Sequence, residues 1–151
     1  MALKEGDKAP EILGINQDGQ ELHLSDFKDK KLILYFYPKD NTPGCTAEAC
    51  SFRDSYQDLL NAGYAVVGVS KDSEKSHKGF IEKKELPFPL ISDADLKLQE
   101  QFGVWREKKM AGRTYMGTVR TTFVINEDGI IERIIEKVNT KDSANQILNG
   151  K

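Results

Sequence analysis

The spacing of apolar residues along the chain predicts its strands. Short uninterrupted apolar runs are typical of buried strands, and strict alternation of apolar and polar positions is typical of hairpins with one face on the core. By these two patterns the predicted extended segments are a hairpin over residues 11–24, strands over 31–37, 65–70 and 88–92, and a second hairpin over 118–138.

Apolar positions three and four residues apart predict the helices. The longest begins at Thr42, a favoured N-cap residue, and runs to about Asn61, with Gly63 as its stop. Shorter helical segments are predicted over residues 25–27, 73–85, 94–102 and 142–148. The remaining stretch, residues 103–117, is rich in basic residues and is predicted to be irregular.

The order of these elements predicts an α/β fold. Strands 31–37 and 65–70, joined by a helix, form a right-handed βαβ unit. Adding the hairpin over residues 118–138 gives a central mixed sheet flanked by helices on both faces. This is the thioredoxin-like architecture, here with an N-terminal β-hairpin extension. The chain of 151 residues shows no linker or repeat, so we expect residues 1–151 to form a single domain.

Composition and charge narrow the possible partners. The net charge is −2 and charged residues make up 30% of the chain, so no overall basic field favours nucleic acid or an anionic membrane. No apolar run approaches the roughly 20 residues that a spanning helix needs. Residues 1–7 contain no hydrophobic region of the kind found in secretory signals. We therefore expect a cytoplasmic protein.

The two cysteines, Cys45 and Cys50, are the strongest chemical signal. Two thiols do not make a structural disulfide framework in a chain of this length. Cys45 falls in the first turn of the predicted helix that begins after Thr42. Unpaired backbone N–H groups and the positive end of the helix dipole favour a thiolate there. Because the thiolate is the nucleophilic form, we predict that Cys45 is a reactive thiol.

Two other uses of the cysteines fit the sequence less well. A structural zinc site needs about four ligands, whereas the chain adds only His23 and His77, which are in separate elements and are most simply surface or strand residues. A dithiol reductase has Cys-x-x-Cys, whereas four residues separate the cysteines here. No proline lies near residues 118–121, where disulfide reductases of this fold carry one.

The segment Tyr35–Thr46 contains Pro38-x-x-x-Thr42-x-x-Cys45, which resembles the peroxiredoxin active-site motif. With Cys50 and the segments 103–105 and 120–125, the chain is similar to the bacterioferritin comigratory protein, or peroxiredoxin Q, group over nearly its whole length. The resemblance implies a thiol peroxidase that reduces hydrogen peroxide and organic hydroperoxides. It also implies recharging by thioredoxin or a similar dithiol donor, without a metal or organic cofactor.

The resemblance assigns roles to the site residues. Cys45 is the peroxidatic thiol, Arg120 the positive charge beside it, and Thr42 a hydroxyl that bonds the thiolate and the peroxide. Pro38 has a fixed φ and shapes the loop. Glu48 lies three residues after Cys45 on the same helix face and is a possible support for Arg120. The simpler interpretations are a buried hydrophobe for Cys45, a strand-end salt bridge for Arg120 and a helix cap on the Cys45 N–H for Thr42. The simpler interpretation of Pro38 is a strand terminator, and that of Glu48 is an exposed first-turn glutamate.

Two aromatic residues, Tyr37 and Trp105, are candidates for the mouth of the pocket, although core packing is the simpler interpretation.

Cys50 is the candidate resolving cysteine. On an ideal helix, Cα atoms five residues apart are separated by roughly 8–9 Å, whereas a disulfide needs about 4.4–6.8 Å. We therefore predict that the first turns of the helix unwind for resolution, helped by the weak helix formers Gly44 and Thr46. The alternative is an inert Cys50 and a resolving thiol on a partner. An intrachain disulfide needs no partner subunit, so we expect a monomer.

Two other functions remain open from the residues alone. A general protein disulfide oxidoreductase would reduce disulfides with little peroxide turnover. A non-enzymatic redox sensor would be oxidised without efficient recycling.

Overall fold

Nine strands and five α-helices make up the described part of the chain, residues 2–149 of this computed structural model. The strands are β1 Ile12–Asn16, β2 Glu21–His23, β3 Lys31–Phe36, β4 Tyr64–Ser70, β5 Leu90–Ser92, β6 Trp105–Met110, β7 Arg113–Thr118, β8 Thr121–Ile125 and β9 Ile131–Ile135. The helices are α1 Pro43–Asp54, α2 Tyr56–Asn61, α3 Glu74–Lys84, α4 Lys97–Phe102 and α5 Ser143–Leu148, with a 3₁₀ turn at Leu24–Phe27.

Seven of the strands form one mixed sheet, in the order β2-β1-β5-β4-β3-β8-β9. At its centre β3, β4 and β5 run parallel, while β8 pairs with β3 antiparallel. The N-terminal hairpin extends this sheet, because β1 pairs antiparallel with β5 through Ile15 and Ser92. The predicted mixed α/β sheet is confirmed, and the extension is part of it.

The central strand β3 separates two apolar layers. Leu32, Leu34 and Phe36 pack with α4 on one face, whereas Ile33 and Tyr35 pack with α1, α2, α3 and α5 on the other. All five side chains are at most 1% exposed. Burying each large apolar side chain contributes about 1.5–3 kcal/mol, so the sheet is a rigid platform for the loop that follows β3.

The long helix predicted from Thr42 to Asn61 is broken at Ser55, which separates α1 from α2. Ser55 has φ −105° and ψ 14°, outside the helical region, and serine is a weak helix former. Gly63 adopts φ +89° just after α2, consistent with the predicted stop. The prediction of one continuous helix was therefore wrong, and α1 ends at Asp54.

The helix predicted over residues 94–102 begins only at Lys97. The carboxylate of Asp93 accepts the backbone N–H groups of Leu98 and Gln99, at 3.0 and 2.8 Å, and so fixes the first turn there. Leu96, inside the predicted helix, instead has φ +64° and is half-buried.

Residues 103–117 contain two strands, so the prediction of an irregular segment was wrong. Strands β6 and β7 pair antiparallel outside the main sheet, and Ala111 and Gly112 turn between them with φ +52° and +78°. Most of their side chains are solvated, so the sequence lacks the apolar alternation that marks a half-buried strand. The following hairpin is shorter than predicted, with β8 starting at Thr121 because Thr118 ends β7.

None of the helices in residues 2–149 combines the length and the apolar composition that crossing a membrane requires.

Candidate active site

Cys45 lies where the central strand β3 passes into helix α1. A short loop leaves the carboxyl end of β3, Pro43 starts the helix, and Cys45 is its third residue. The side chain is 1% exposed and packs into the layer formed by β3, α1 and α5. The free thiol therefore lies in the first helical turn, as predicted.

Arg120, between β7 and β8, joins Cys45 to Glu48. Its Nη2 donates to Cys45 Sγ at 3.2 Å, and its Nη1 donates to Glu48 Oε1 at 2.8 Å. Burial opposes the cation, but the adjacent Glu48 and Cys45 outweigh that effect and raise the pKa of Arg120. The guanidinium is thus a fixed positive charge in contact with the sulfur.

Glu48 is fully buried, so an exposed first-turn glutamate is excluded. Burial raises its pKa to about 7, although Arg120 acts in the opposite direction. Oε1 accepts from Arg120, whereas Oε2 has no hydrogen-bond partner among residues 2–149. Glu48 therefore orients the guanidinium and changes charge near neutral pH.

Gly44 leaves room for the guanidinium, a role that the sequence analysis missed. A Cβ atom at this position would lie 3.2 Å from Arg120 Nη2, the atom that donates to Cys45. The signal in the sequence is a glycine in a helical first turn, where it is unfavourable to the helix. We attribute it to the close approach of Arg120.

Thr42 occupies the N-cap position without making the side-chain cap that was predicted. Its hydroxyl donates to the carbonyl of Lys39 at 2.8 Å. The hydroxyl oxygen thus accepts no hydrogen bond from the backbone N–H of Cys45, and its proton is not directed at the Cys45 sulfur. The oxygen can still accept a hydrogen bond, for example from the O–H of a hydroperoxide. Pro38, two residues after the end of β3, is half-buried in the same loop.

Cys50 lies in the second turn of the same uninterrupted helix and is partly exposed. Both thiols are free. In this conformation they are on an intact helix, which by ideal geometry holds their Cα atoms roughly 8–9 Å apart. Three residues on, Arg53 donates from Nη1 to the Lys84 carbonyl at 2.9 Å and ties the end of α1 to α3.

Tyr37 and His77 lie in the interior, and Trp105 is half-buried. Tyr37 is fully buried and bonds the carboxylate of Asp40, so it does not line the mouth of a pocket. The ring of Trp105 lies under Lys71, whose Nζ is 5.6 Å from the ring centroid. His77, expected at the surface, is fully buried because it bonds Asp40 and the Ile91 carbonyl.

Surface cavities of about 670 and 650 Å³ are lined by residues of the N-terminal segment, β1 and α4. Neither includes Cys45 or Arg120. The reacting part of a hydroperoxide is only two oxygen atoms, so Cys45 needs a narrow opening rather than a large cavity.

Comparison with known proteins agrees with this geometry. Residues 5–134 match the model of the AhpC/TSA family. Peroxiredoxin Bcp of Bacillus subtilis is 45% identical over 148 residues, covering 98% of this chain and 94% of that protein. Peroxiredoxin Bcp of Escherichia coli K12 is 44% identical over 147 residues, covering 97% and 94%.

Solved structures show the same fold. A structure of the Xanthomonas campestris bacterioferritin comigratory protein, from work on its alkyl peroxide reduction activity, has a TM-score of 0.87 at 35% identity and covers 99% of this chain and 96% of that one. A cysteine-to-serine mutant of Xylella fastidiosa PrxQ has a TM-score of 0.90 at 33% identity, with the same coverage. The chain therefore belongs to the AhpC/TSA family and is a peroxiredoxin, a thiol-dependent peroxidase, of the bacterioferritin comigratory protein and peroxiredoxin Q group.

Proposed function

We propose that Cys45 is the peroxidatic nucleophile of this peroxiredoxin and that Cys50 resolves it within the same chain. The substrates are hydrogen peroxide and organic hydroperoxides, in keeping with the alkyl peroxide reduction described for the Xanthomonas relative. The observation that carries the proposal is the 3.2 Å contact between Arg120 Nη2 and the buried Sγ of Cys45.

In the first step the Cys45 thiolate attacks one oxygen of the hydroperoxide. A sulfur–oxygen bond forms, the O–O bond breaks, and the second oxygen leaves with the electron pair and takes up a proton. The products are Cys45 sulfenic acid and an alcohol, or water from hydrogen peroxide. Arg120 stabilises both the thiolate and the charge that develops on the departing oxygen.

In the second step the Cys50 thiolate attacks the sulfur of the sulfenic acid. The disulfide forms as the S–O bond breaks, and with one proton the oxygen leaves as water. The first turns of α1 must unwind, because the intact helix holds the two thiols too far apart. The break at Ser55 and the bond from Arg53 to Lys84 support unwinding confined to the start of α1.

In the third step an external dithiol, thioredoxin or a similar protein, reduces the Cys45–Cys50 disulfide and becomes oxidised itself. An intrachain disulfide needs no second subunit, so we propose a monomer that works in the cytoplasm. Nucleic acid and membrane are not partners in this scheme.

Mass spectrometry of peroxide-treated protein tests the assignments. Wild type should lose two hydrogens as an internal Cys45–Cys50 disulfide. Cys50→Ser should stop at a trappable sulfenic acid on Cys45, and Cys45→Ser should not react. A Cys50→Ser variant that cycles normally with thioredoxin would contradict the resolving role.

Stopped-flow peroxide consumption, with and without thioredoxin, separates the rival functions. We expect fast oxidation and full recycling. Fast reduction of protein disulfides with negligible peroxide consumption would instead indicate a disulfide oxidoreductase. Oxidation without recycling by dithiol donors would indicate a redox sensor.

A further inference from the structure

The loop between β3 and α1 is anchored by one buried side chain. Lys39 and Asn41 are exposed and Pro38 and Thr42 are half-buried, whereas Asp40 is only 5% exposed. An aspartate facing inward from a surface loop needs hydrogen-bond partners to offset the loss of water. Asp40 lies five residues before Cys45, so its anchoring positions the loop that leads to the thiol.

The carboxylate of Asp40 is fully bonded. Oδ1 accepts from the Tyr37 hydroxyl at 2.6 Å, and Oδ2 accepts from the Ser76 hydroxyl at 2.8 Å and lies 2.7 Å from His77 Nδ1. The backbone N–H of Asp40 also donates to Asp72 Oδ2 at 2.8 Å. Asp40 thus ties the loop to α3 and to the segment that follows β4.

Both ring nitrogens of His77 are in hydrogen-bond contact. Its Nε2 lies 2.9 Å from the Ile91 carbonyl, which only accepts hydrogen bonds, so Nε2 carries a hydrogen. Its Nδ1 lies 2.7 Å from Asp40 Oδ2. Burial raises the pKa of Asp40, but the bonds from His77 and Tyr37 outweigh it and lower that pKa overall. The hydrogen bonds therefore hold Asp40 as a buried carboxylate.

This arrangement is a loop anchor and not a vacant metal site. The ligand-type atoms of Asp40, Asp72 and His77 lie within 4.8 Å of one another, but hydrogen bonds already occupy them. What the cluster fixes is the turn from Lys39 to Thr42, where Asn41 has φ +63° and the Thr42 hydroxyl bonds the Lys39 carbonyl.

We propose that Asp40 and His77 are positioning residues for the peroxidatic thiol. Resting on the roles proposed for Cys45 and Cys50, the inference is that the buried pair holds the loop and the first turn of α1 in the conformation that reacts with peroxide. The pair favours the helical, reactive state and opposes the unwound state that forms the disulfide. Losing it slows the first step and leaves the second unchanged or faster.

Rapid kinetics of purified full-length variants test this difference between the rate of sulfenic acid formation and the rate of disulfide formation. Asp40→Ala should slow Cys45 sulfenic acid formation by about tenfold or more, since small misplacements of reacting groups cost up to about a hundredfold. Its disulfide step should be as fast as in wild type or faster. Asp40→Asn keeps the acceptor for Tyr37 and offers an N–H to His77 Nδ1, so it should retain most of the wild-type rate.

A second variant and a control keep the test decisive if Asp40→Ala folds poorly. His77→Gln retains an N–H for the Ile91 carbonyl but loses the partner of Asp40. It should likewise form sulfenic acid more slowly while its disulfide step is unchanged or faster. Asp58→Ala, on the exposed face of α2, should change neither rate. Folded Asp40→Ala or His77→Gln with a wild-type peroxide rate, or with both steps slowed equally, overturns the inference while Cys45 and Cys50 keep their roles. Absence of Cys45 sulfenic acid in peroxide-treated Cys50→Ser would instead reject the proposed function.

Discussion

At the scale of single residues, the guanidinium of Arg120 links the two acidic groups of the site. One planar fork reaches Cys45 through Nη2 and Glu48 through Nη1. A lysine offers one compact ammonium and cannot hold both partners in this geometry. The identity of the residue therefore matters as well as its charge.

We expect Arg120→Lys to slow the reaction of Cys45 with hydrogen peroxide by about 10²–10³-fold, the usual effect of removing one preorganised donor from a developing charge. Stopped-flow measurement of sulfenic acid formation checks this. Arg113→Lys, at an exposed position of β7, is the matched control and should react like wild type. An Arg120→Lys rate equal to that of the control would show that the two-donor geometry of the guanidinium is dispensable.

Glu48 gives the protein a specific pH dependence of stability. Its pKa is about 7 in the folded state against 4.5 when unperturbed, so the folded state binds more protons between those pH values. The free energy of unfolding should therefore fall as the pH rises through this window, by on the order of 3 kcal/mol, and then level off.

Urea denaturation of wild type and Glu48→Gln at about pH 5 and about pH 7.5 measures this effect. Wild type should lose more stability than the variant between the two conditions, because the glutamine does not titrate. Equal losses would mean that Glu48 ionises at its ordinary pH.

At the scale of elements, the proposed cycle needs α1 helical for the first step and unwound for the second. Its first turn presents Cys45 to Arg120, and its second turn carries Cys50. Gly44 serves both requirements, because it makes room for Arg120 and weakens the helix that must open.

We expect Gly44→Ala to slow both chemical steps. The added Cβ would lie 3.2 Å from Arg120 Nη2 and displace the guanidinium from Cys45, which slows oxidation. Alanine also favours the helix by about 0.5–1 kcal/mol, so disulfide formation should slow by roughly two- to fivefold. Separate stopped-flow phases for the two steps provide the measurement.

Gly79→Ala, in α3, is the control for helix propensity. Apart from its chain neighbours and the backbone of its own helix, no atom of residues 2–149 lies within 4 Å of the added Cβ. This change should therefore raise stability by about 0.5–1 kcal/mol and leave both rates unchanged. If Gly44→Ala behaves the same way, Gly44 has no special relation to Arg120.

The apolar pattern predicted the elements that bury a face and missed those that do not. Strands β3 and β4 and the start of α1 were predicted because core residues and an N-cap mark them. The antiparallel pair β6 and β7 was missed because most of its side chains are solvated. The break at Ser55 was missed because the apolar spacing of Phe52 and Leu59 continues across it.

At the scale of the whole molecule, the segment that the proposed cycle unwinds follows directly on a central strand. Strands β3, β4 and β8 are buried between two apolar layers, while α1 begins beyond the carboxyl end of β3 and packs in one of those layers. The site could be predicted where the family motif marks it, as for Cys45 and Arg120, which are 75 residues apart. The buried pair of Asp40 and His77 could not, because pairing across 37 residues leaves no local pattern.

Hydrogen exchange should show that oxidation changes the molecule only locally. In the disulfide form, amides of residues 46–50 should exchange faster than in the reduced protein, while those of β3 and β4 keep their protection. Sedimentation should show a monomer in both states. Unchanged protection of residues 46–50 in the disulfide form would contradict the unwinding of α1.

The roles of Cys45 and Arg120 are tested most directly by a single turnover of reduced Cys50→Ser with hydrogen peroxide, compared with the same protein carrying Arg120→Lys. We predict one sulfenic acid per chain, located at Cys45, formed rapidly when Arg120 is present and slowly when it is not. Oxidation elsewhere in the chain, or equal rates with and without Arg120, would contradict these roles.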